Sequence, residues 1–131
     1  MTQSALLLMV HGSPRPESNA DVHRVADDVR ARGGYEPVVV CFMECNEPSI
    51  PAAVDVCVKA GADRIFAVPY FLHTGNHVAT DLPEILQGCR EKHPRIEILM
   101  SSYVGRSKRV TAIVAERAAA ALQNQTGEKF S

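Results

Sequence analysis

The residues able to share one reaction centre are few, and each follows an apolar run. His11 closes the stretch "LLLMV" and is followed by Gly12; Glu44 and Glu47 stand in "CFMECNEPS" after a second run; His73 and His77 lie in "PYFLHTGNHVATDLPE" after a third. Imidazole with carboxylate, rather than thiolate, is the donor set of borderline divalent ions such as cobalt, nickel, iron or zinc. The same groups accept protons at neutral pH. A histidine ending a strand is also commonly a hydrogen-bonded loop residue, and Glu44 and Glu47 also fit as solvated loop acids. His11 and His77 gain weight from Gly12 and Gly75-Asn76 beside them, which offer turns that present a side chain. Glu44 is preferred to Glu47 because it directly ends its strand, whereas Glu47 also suits the positive end of the next helix. His73 stays open between the two readings, and His23 and His93 read as surface helix residues.

These residues need elements to bring them together. Four apolar runs read as strands: Ala5 to Val10, Pro37 to Phe42, Arg64 to Val68 and Ile96 to Met100. After Ser18, the positions Val22, Val25, Ala26 and Val29 give a helical stripe, with Ser18 and Asp21 at capping-box spacing and Gly33-Gly34 as the stop. Ser49 can cap a second helix carrying Ala53, Val54, Cys57 and Val58, with Pro51 in its first turn. Asp81 and Glu84 give the same capping spacing for a third, with Leu82, Ile85, Leu86 and Cys89 inward. A fourth runs from about Ser107 to Gln123, with Val110, Ile113, Val114 and Ala121 as the expected buried stripe.

The order β-α-β-α-β-α-β-α predicts one three-layer α/β domain over residues 4–123. It holds a four-stranded parallel sheet with flavodoxin-like winding and both faces covered by helices, and a polar tail follows over 124–131. In such sheets ligands bind beyond the carboxyl ends of the strands, where successive crossovers go to opposite faces. If the first and third strands are neighbours, His11 and His77 reach one rim and can face one ion.

Composition narrows the partners. With 14 basic and 15 acidic residues the net charge is −1, which gives no general attraction to nucleic acid or anionic membrane. No stretch approaches a membrane span and Met1 to Ser4 lacks a basic leader start, so a cytoplasmic location is expected. Cys41, Cys45, Cys57 and Cys89 form no C-x-x-C pair and read as reduced core residues. Arg106, Lys108 and Arg109 cluster in "YVGRSKRV", and Arg15 follows His11. Cations at a helix start oppose its dipole, a cost that makes sense if they meet a carboxylate-rich ligand.

The segments "VHGSPRPESN", "CFMECNEPSIPAAV", "GADRIFAVPYFLHTGNHVATDLPE" and "YVG" to "ER", in that order, resemble the short-type sirohydrochlorin chelatases, class II chelatases of the cobalamin, siroheme and coenzyme F430 pathways. The likeness runs from about Leu6 to Leu122, and the H-G-S, E-P-S and G-x-H-V-x-x-D-[IL]-P elements carry it. It implies insertion of a divalent metal into sirohydrochlorin without nucleotide or organic cofactor, by a homodimer. It also implies His11 and His77 as metal ligands, with Glu44 assisting. The ion is substrate: Co²⁺ first, with Ni²⁺ or Fe²⁺ as alternatives. Two departures bear on substrate contacts: Arg106-Ser107-Lys108 replaces a histidine or proline of many relatives, and His73 replaces an apolar or small residue.

On this reading His11 and His77 hold the ion above the macrocycle, and one of them or Glu44 takes a proton. Substrate contacts are expected from Ser13, Arg15, His73, Thr74, Gly75 and Arg106, with Tyr70, Phe71 and Leu72 as an apolar wall, although such residues at a strand end also suit the core. The rival is a tetrapyrrole or metal carrier that uses the same histidines without turnover. A phosphate-binding domain is weaker, since "HGSPRP" lacks both glycine-rich phosphate fingerprints.

Overall fold

The apolar runs form the strands expected of them, within a residue or two at their ends. The computed structural model describes residues 2–123, so the polar tail expected over 124–131 lies outside the described residues. Strands β1 (Ser4–Val10), β2 (Val38–Phe42), β3 (Arg64–Pro69) and β4 (Glu97–Met100) alternate with helices α1 (Ala20–Arg32), α2 (Ile50–Lys59), α3 (Leu82–Lys92) and α4 (Arg109–Gln123). All strand pairs are parallel, in the order β2-β1-β3-β4, and Met9 of β1 sits opposite both Cys41 and Pro69. The first and third strands are therefore neighbours.

Successive strand residues point to opposite faces, so an unbroken apolar run feeds two cores. On one face Leu7, Met9, Ile65, Ala67 and Ile98 pack against Ala53, Val54 and Cys57 of α2 and Leu82, Leu86 and Cys89 of α3. On the other, Leu6, Leu8, Val38, Val40 and Phe42 pack against Val22 and Ala26 of α1. The crossover through α1 thus lies on one face and that through α2 on the other, which makes the β1–β3 boundary the switch point. Ser49 caps α2 as its position suggests, its Oγ accepting from the Ala52 N–H at 3.2 Å.

Two other caps differ from expectation. Ser18 lies inside a 3-10 turn over Pro16–Asn19, and α1 starts after Asn19 with no side-chain capping bond. Pro16 fixes φ for a tight turn, so the chain coils before the capping position is reached. Asp81 likewise caps nothing: it is the last residue of a widened π-type turn over His77–Asp81 that runs straight into α3. Its φ of −66° and ψ of −46° are helical, whereas a capping residue needs extended backbone.

The stripe expected to be buried on α4 is not. The helix buries none of its residues, and Ile113 and Val114 are 48% and 63% exposed. The sheet face that it would have covered is correspondingly open over β3 and β4: Phe66 and Val68 are half-buried and Leu99 is 42% exposed. Periodicity identified the apolar stripe but could not say which surface it meets.

Three cysteines are core residues, but Cys45 is exposed, in a turn with φ of 68°. Burial raises the thiol pKa of Cys41, Cys57 and Cys89, that of Cys57 to about 11. His93, expected on a helix surface, is half-buried just past α3, where its Nε2 meets Asp55 Oδ1 at 2.8 Å.

Candidate functional site

The β1–β2 ladder does not stop at the strand ends. Met43 N–H donates to Val10 O at 2.9 Å, and Glu44 N–H to His11 O at 3.1 Å, so the two loops leave the sheet still zipped together. Asn46 completes the clamp, its Oδ1 accepting the Ser13 N–H at 2.7 Å. Gly12 makes this approach possible: its φ is +103°, and a Cβ there would stand 1.9 Å from Glu44 O. Only glycine fits such a position without strain.

The clamp sets side chains as well as backbone. His11 Nε2 lies 2.9 Å from Glu44 Oε1, while its Nδ1 lies 3.2 Å from Gly12 O. With both ring nitrogens against acceptors, the metal-free His11 satisfies both contacts when both nitrogens carry protons.

His77 comes from the next strand's loop. Its ring centroid is 4.9 Å from that of His11, with the planes inclined by 54°. Two imidazoles from opposite halves of the chain thus meet at the carboxyl rim of β1 and β3. His77 Nδ1 lies 3.0 Å from Asp81 Oδ2 one turn later, so Nε2 is the nitrogen with no hydrogen-bond partner among the described residues. Sequence reasoning missed Asp81 and Asn46. The i, i+4 spacing of His77 and Asp81 was visible, but it signals a contact only once helical backbone is known to begin at His77; nothing marked Asn46.

The four side chains are open to solvent, from 43% exposed for Asp81 to 59% for Glu44. Among the described residues, no three histidine, cysteine, aspartate or glutamate side chains form a ready cage around one point. The rim instead offers a seat between two rings, with a carboxylate on one ring and another behind the second.

The other expected residues divide. Tyr70, Phe71 and Leu72 line one wall of a groove of about 340 Å³, faced by Val104 and by Val110, Ile113 and Val114 of α4. Gly105 holds this loop close, donating its N–H to Phe71 O at 2.9 Å where a Cβ would fall 1.8 Å from Leu72 O. Arg106 lines a neighbouring hollow of about 440 Å³ with Ser101, Ser102, Tyr103 and Ser107. Arg15, Arg106, Lys108 and Arg109 are exposed and have no carboxylate partner among the described residues. Ser13 serves its own loop, its Oγ accepting the Arg15 N–H at 3.1 Å. His73, Thr74 and Gly75 are exposed, and His73 makes no hydrogen bond, ion pair or ring contact with the His11–His77 pair. Glu47 is exposed and does not reach His11.

Comparison with known proteins agrees with this architecture. A cobalt complex of the sirohydrochlorin chelatase SirB from Bacillus subtilis subspecies spizizenii is similar in structure, with a TM-score of 0.82 and 28% identity over 90% of this chain and 50% of that one. The sirohydrochlorin cobaltochelatase of Methanococcus maripaludis is 44% identical over 82 residues, 63% of this chain and 57% of the relative. The sirohydrochlorin ferrochelatase of Priestia megaterium is 35% identical over 115 residues, 86% of this chain and 42% of the relative. The chain therefore spans about half the length of these relatives. The CbiX family model matches residues 5–121, nearly all that the structure describes, and the chain belongs to the CbiX family.

Proposed function

We propose that this protein inserts a divalent metal ion into sirohydrochlorin, without nucleotide, at the rim where His11 and His77 meet. The observation that carries the reading is the 4.9 Å approach of the two rings with Glu44 bonded to His11. Imidazole and carboxylate suit Co²⁺, Ni²⁺ and Fe²⁺ alike. Co²⁺ is proposed as the physiological ion, supported by the similarity to a cobaltochelatase and to a chelatase bound to cobalt.

Insertion exchanges one M²⁺ for two pyrrole protons, so the site must release an ion and take up protons. His77 Nε2 and His11 Nε2 hold the ion, which displaces the proton shared by His11 and Glu44 to water. As ring nitrogens replace the remaining waters, the ion moves to the macrocycle. The Nε2–Oε1 hydrogen bond then reforms around one departing proton, and the second passes to water. An ion that is cargo needs an open seat, because coordination positions must stay free for the acceptor. Arg15, Arg106, Lys108 and Arg109 meet the carboxylates of sirohydrochlorin, and Tyr70, Phe71 and Leu72 lie against its apolar edge. Ser13, His73, Thr74 and Gly75 flank it.

The working form is a cytoplasmic homodimer. One copy carries both an uncovered apolar stripe on α4 and an uncovered face on β3 and β4, and α4 of each copy covers that face of the other. The two-fold length of the SirB chain supports two such units as the complete enzyme.

The test is an absorbance assay with sirohydrochlorin and Co²⁺, Ni²⁺ or Fe²⁺ in turn. Wild type turns over many rings per site. His11→Ala and His77→Ala lower kcat/KM by more than about 100-fold, beyond the usual cost of losing an outer-shell partner. Full rates in both variants would remove the site, and a stoichiometric burst without turnover would make the protein a carrier.

A further inference from the structure

We propose that Asp81 is a positioning residue for metal transfer: its carboxylate keeps the proton of His77 on Nδ1 and so presents unprotonated Nε2 to the ion. The proposal rests on the reading of His77 as a ligand and adds what makes it one. An ionised carboxylate only accepts hydrogen bonds, so a 3.0 Å contact to Nδ1 selects the tautomer with hydrogen there. Carboxylate backing also strengthens a histidine as a ligand, which carbonyl backing does less. His11 has the weaker arrangement, its Nδ1 against the Gly12 carbonyl at 3.2 Å.

The backbone leaves this pair little freedom. Leu82 N–H donates to His77 O, the five-residue bond that widens the turn, so the main chain of His77 is tied to the residue after Asp81. Val78 and Leu82 are both buried, which anchors the turn on either side. Widened turns of this kind recur at functional sites because they re-aim side chains within a helix. Nothing else competes for the Asp81 carboxylate, which makes no capping bond and has His77 as its one ion-pair partner among the described residues.

Asp81→Asn keeps the shape and adds an amide donor that can also bond to Nδ1, so it frees the tautomer without removing bulk. Long-range proton–nitrogen NMR of the metal-free protein reads the tautomer directly. Wild type is expected to show hydrogen on Nδ1 of His77, and Asp81→Asn a mixture with Nε2. Calorimetric titration with Co²⁺ alone should show affinity lowered about 10- to 100-fold, and kcat should fall with KM for sirohydrochlorin unchanged. Asp81→Glu should restore part of the affinity, whereas Glu84→Gln, in the first turn of α3 just beyond, should behave as wild type. An Asp81→Asn protein with an unchanged tautomer, or with Co²⁺ affinity within twofold of wild type while His77→Ala binds weakly, overturns the positioning role alone. A His77→Ala protein that binds Co²⁺ as wild type does overturns the ligand reading and this inference with it.

Discussion

Gly12→Ala is a small perturbation with a large expected effect. At φ of +103° a non-glycine residue is strained by about 1 to 2 kcal/mol. The new Cβ would lie 1.9 Å from Glu44 O, against the roughly 3.5 Å of an ordinary non-bonded contact, so the two loops must part by about 1.5 Å. Neither the Glu44 N–H to His11 O bond nor the Ser13 N–H to Asn46 Oδ1 bond survives that displacement, and each is worth about 0.5 to 1.5 kcal/mol. The total is about 2 to 5 kcal/mol, enough to lower Tm by roughly 10 °C or more in a domain of this size. Gly34→Ala is the internal control: its φ is +101°, but nothing lies within 4 Å of the added atom. It should show only the backbone strain, with full chelatase activity. The pair is compared by circular-dichroism melting and by Co²⁺ insertion at a temperature where both variants are folded. Because Glu44 moves away from His11, Gly12→Ala should lose activity out of proportion to stability. If it melts and turns over like Gly34→Ala, the clamp does not set the site.

Three further outcomes follow from the same structure. Cys45, exposed, should be the thiol that reacts with Ellman's reagent in native protein, whereas Cys41, Cys57 and Cys89 should react only on unfolding, since burial raises their pKa; four fast thiols would contradict the core packing. The Asp55 carboxyl is held below its ordinary pKa by its hydrogen bonds to His93 and then Lys92, so its contribution is present above the unfolded carboxyl value and is lost as pH falls through the lowered one. With the side chain 35% exposed and therefore screened, Asp55→Asn should destabilise by only about 0.5 kcal/mol at neutral pH, a difference in denaturant midpoint that shrinks as pH falls below the ordinary carboxyl value. Ile113→Asp, on the open stripe of α4, should leave the monomer's melting curve nearly intact yet convert a sedimenting dimer to monomer; a monomeric wild type, or a dimeric variant, would refute the proposed pairing.

How much of this was legible in the sequence follows from what each signal measures. Apolar runs and helical periods report local burial, and they placed β1, β2, β3 and β4 to within a residue or two, although only β1 and β2 have both sheet faces covered. The meeting of His11, Glu44 and His77 was legible because parallel winding puts every strand's carboxyl end on one rim. The cap at Ser49 was legible, but those expected at Ser18 and Asp81 were not, since Pro16 and the π-type turn at His77–Asp81 decide the backbone before either residue can act. The α4 stripe was read correctly as apolar and wrongly as covered, because periodicity is silent on which surface a stripe meets. The pairing of Asn46 with Ser13 depends on a close approach across two loops that only Gly12 permits.

The open seat and the open helix are one design when considered from the macrocycle. The wall of Tyr70, Phe71 and Leu72 faces Val110, Ile113 and Val114 across a single groove, so the surface proposed to contact substrate and the surface proposed to contact a second copy line the same groove. In the proposed dimer, covering α4 would therefore fix the shape of this groove. A flat ring laid on one isolated copy would have the imidazoles on one side and solvent on the other, and its ring nitrogens would compete with water for the ion. Enclosure by the proposed second copy would remove that water. On the proposed reading the chemistry resides in four side chains of one chain, and the face that the chain leaves uncovered sets the conditions under which it proceeds.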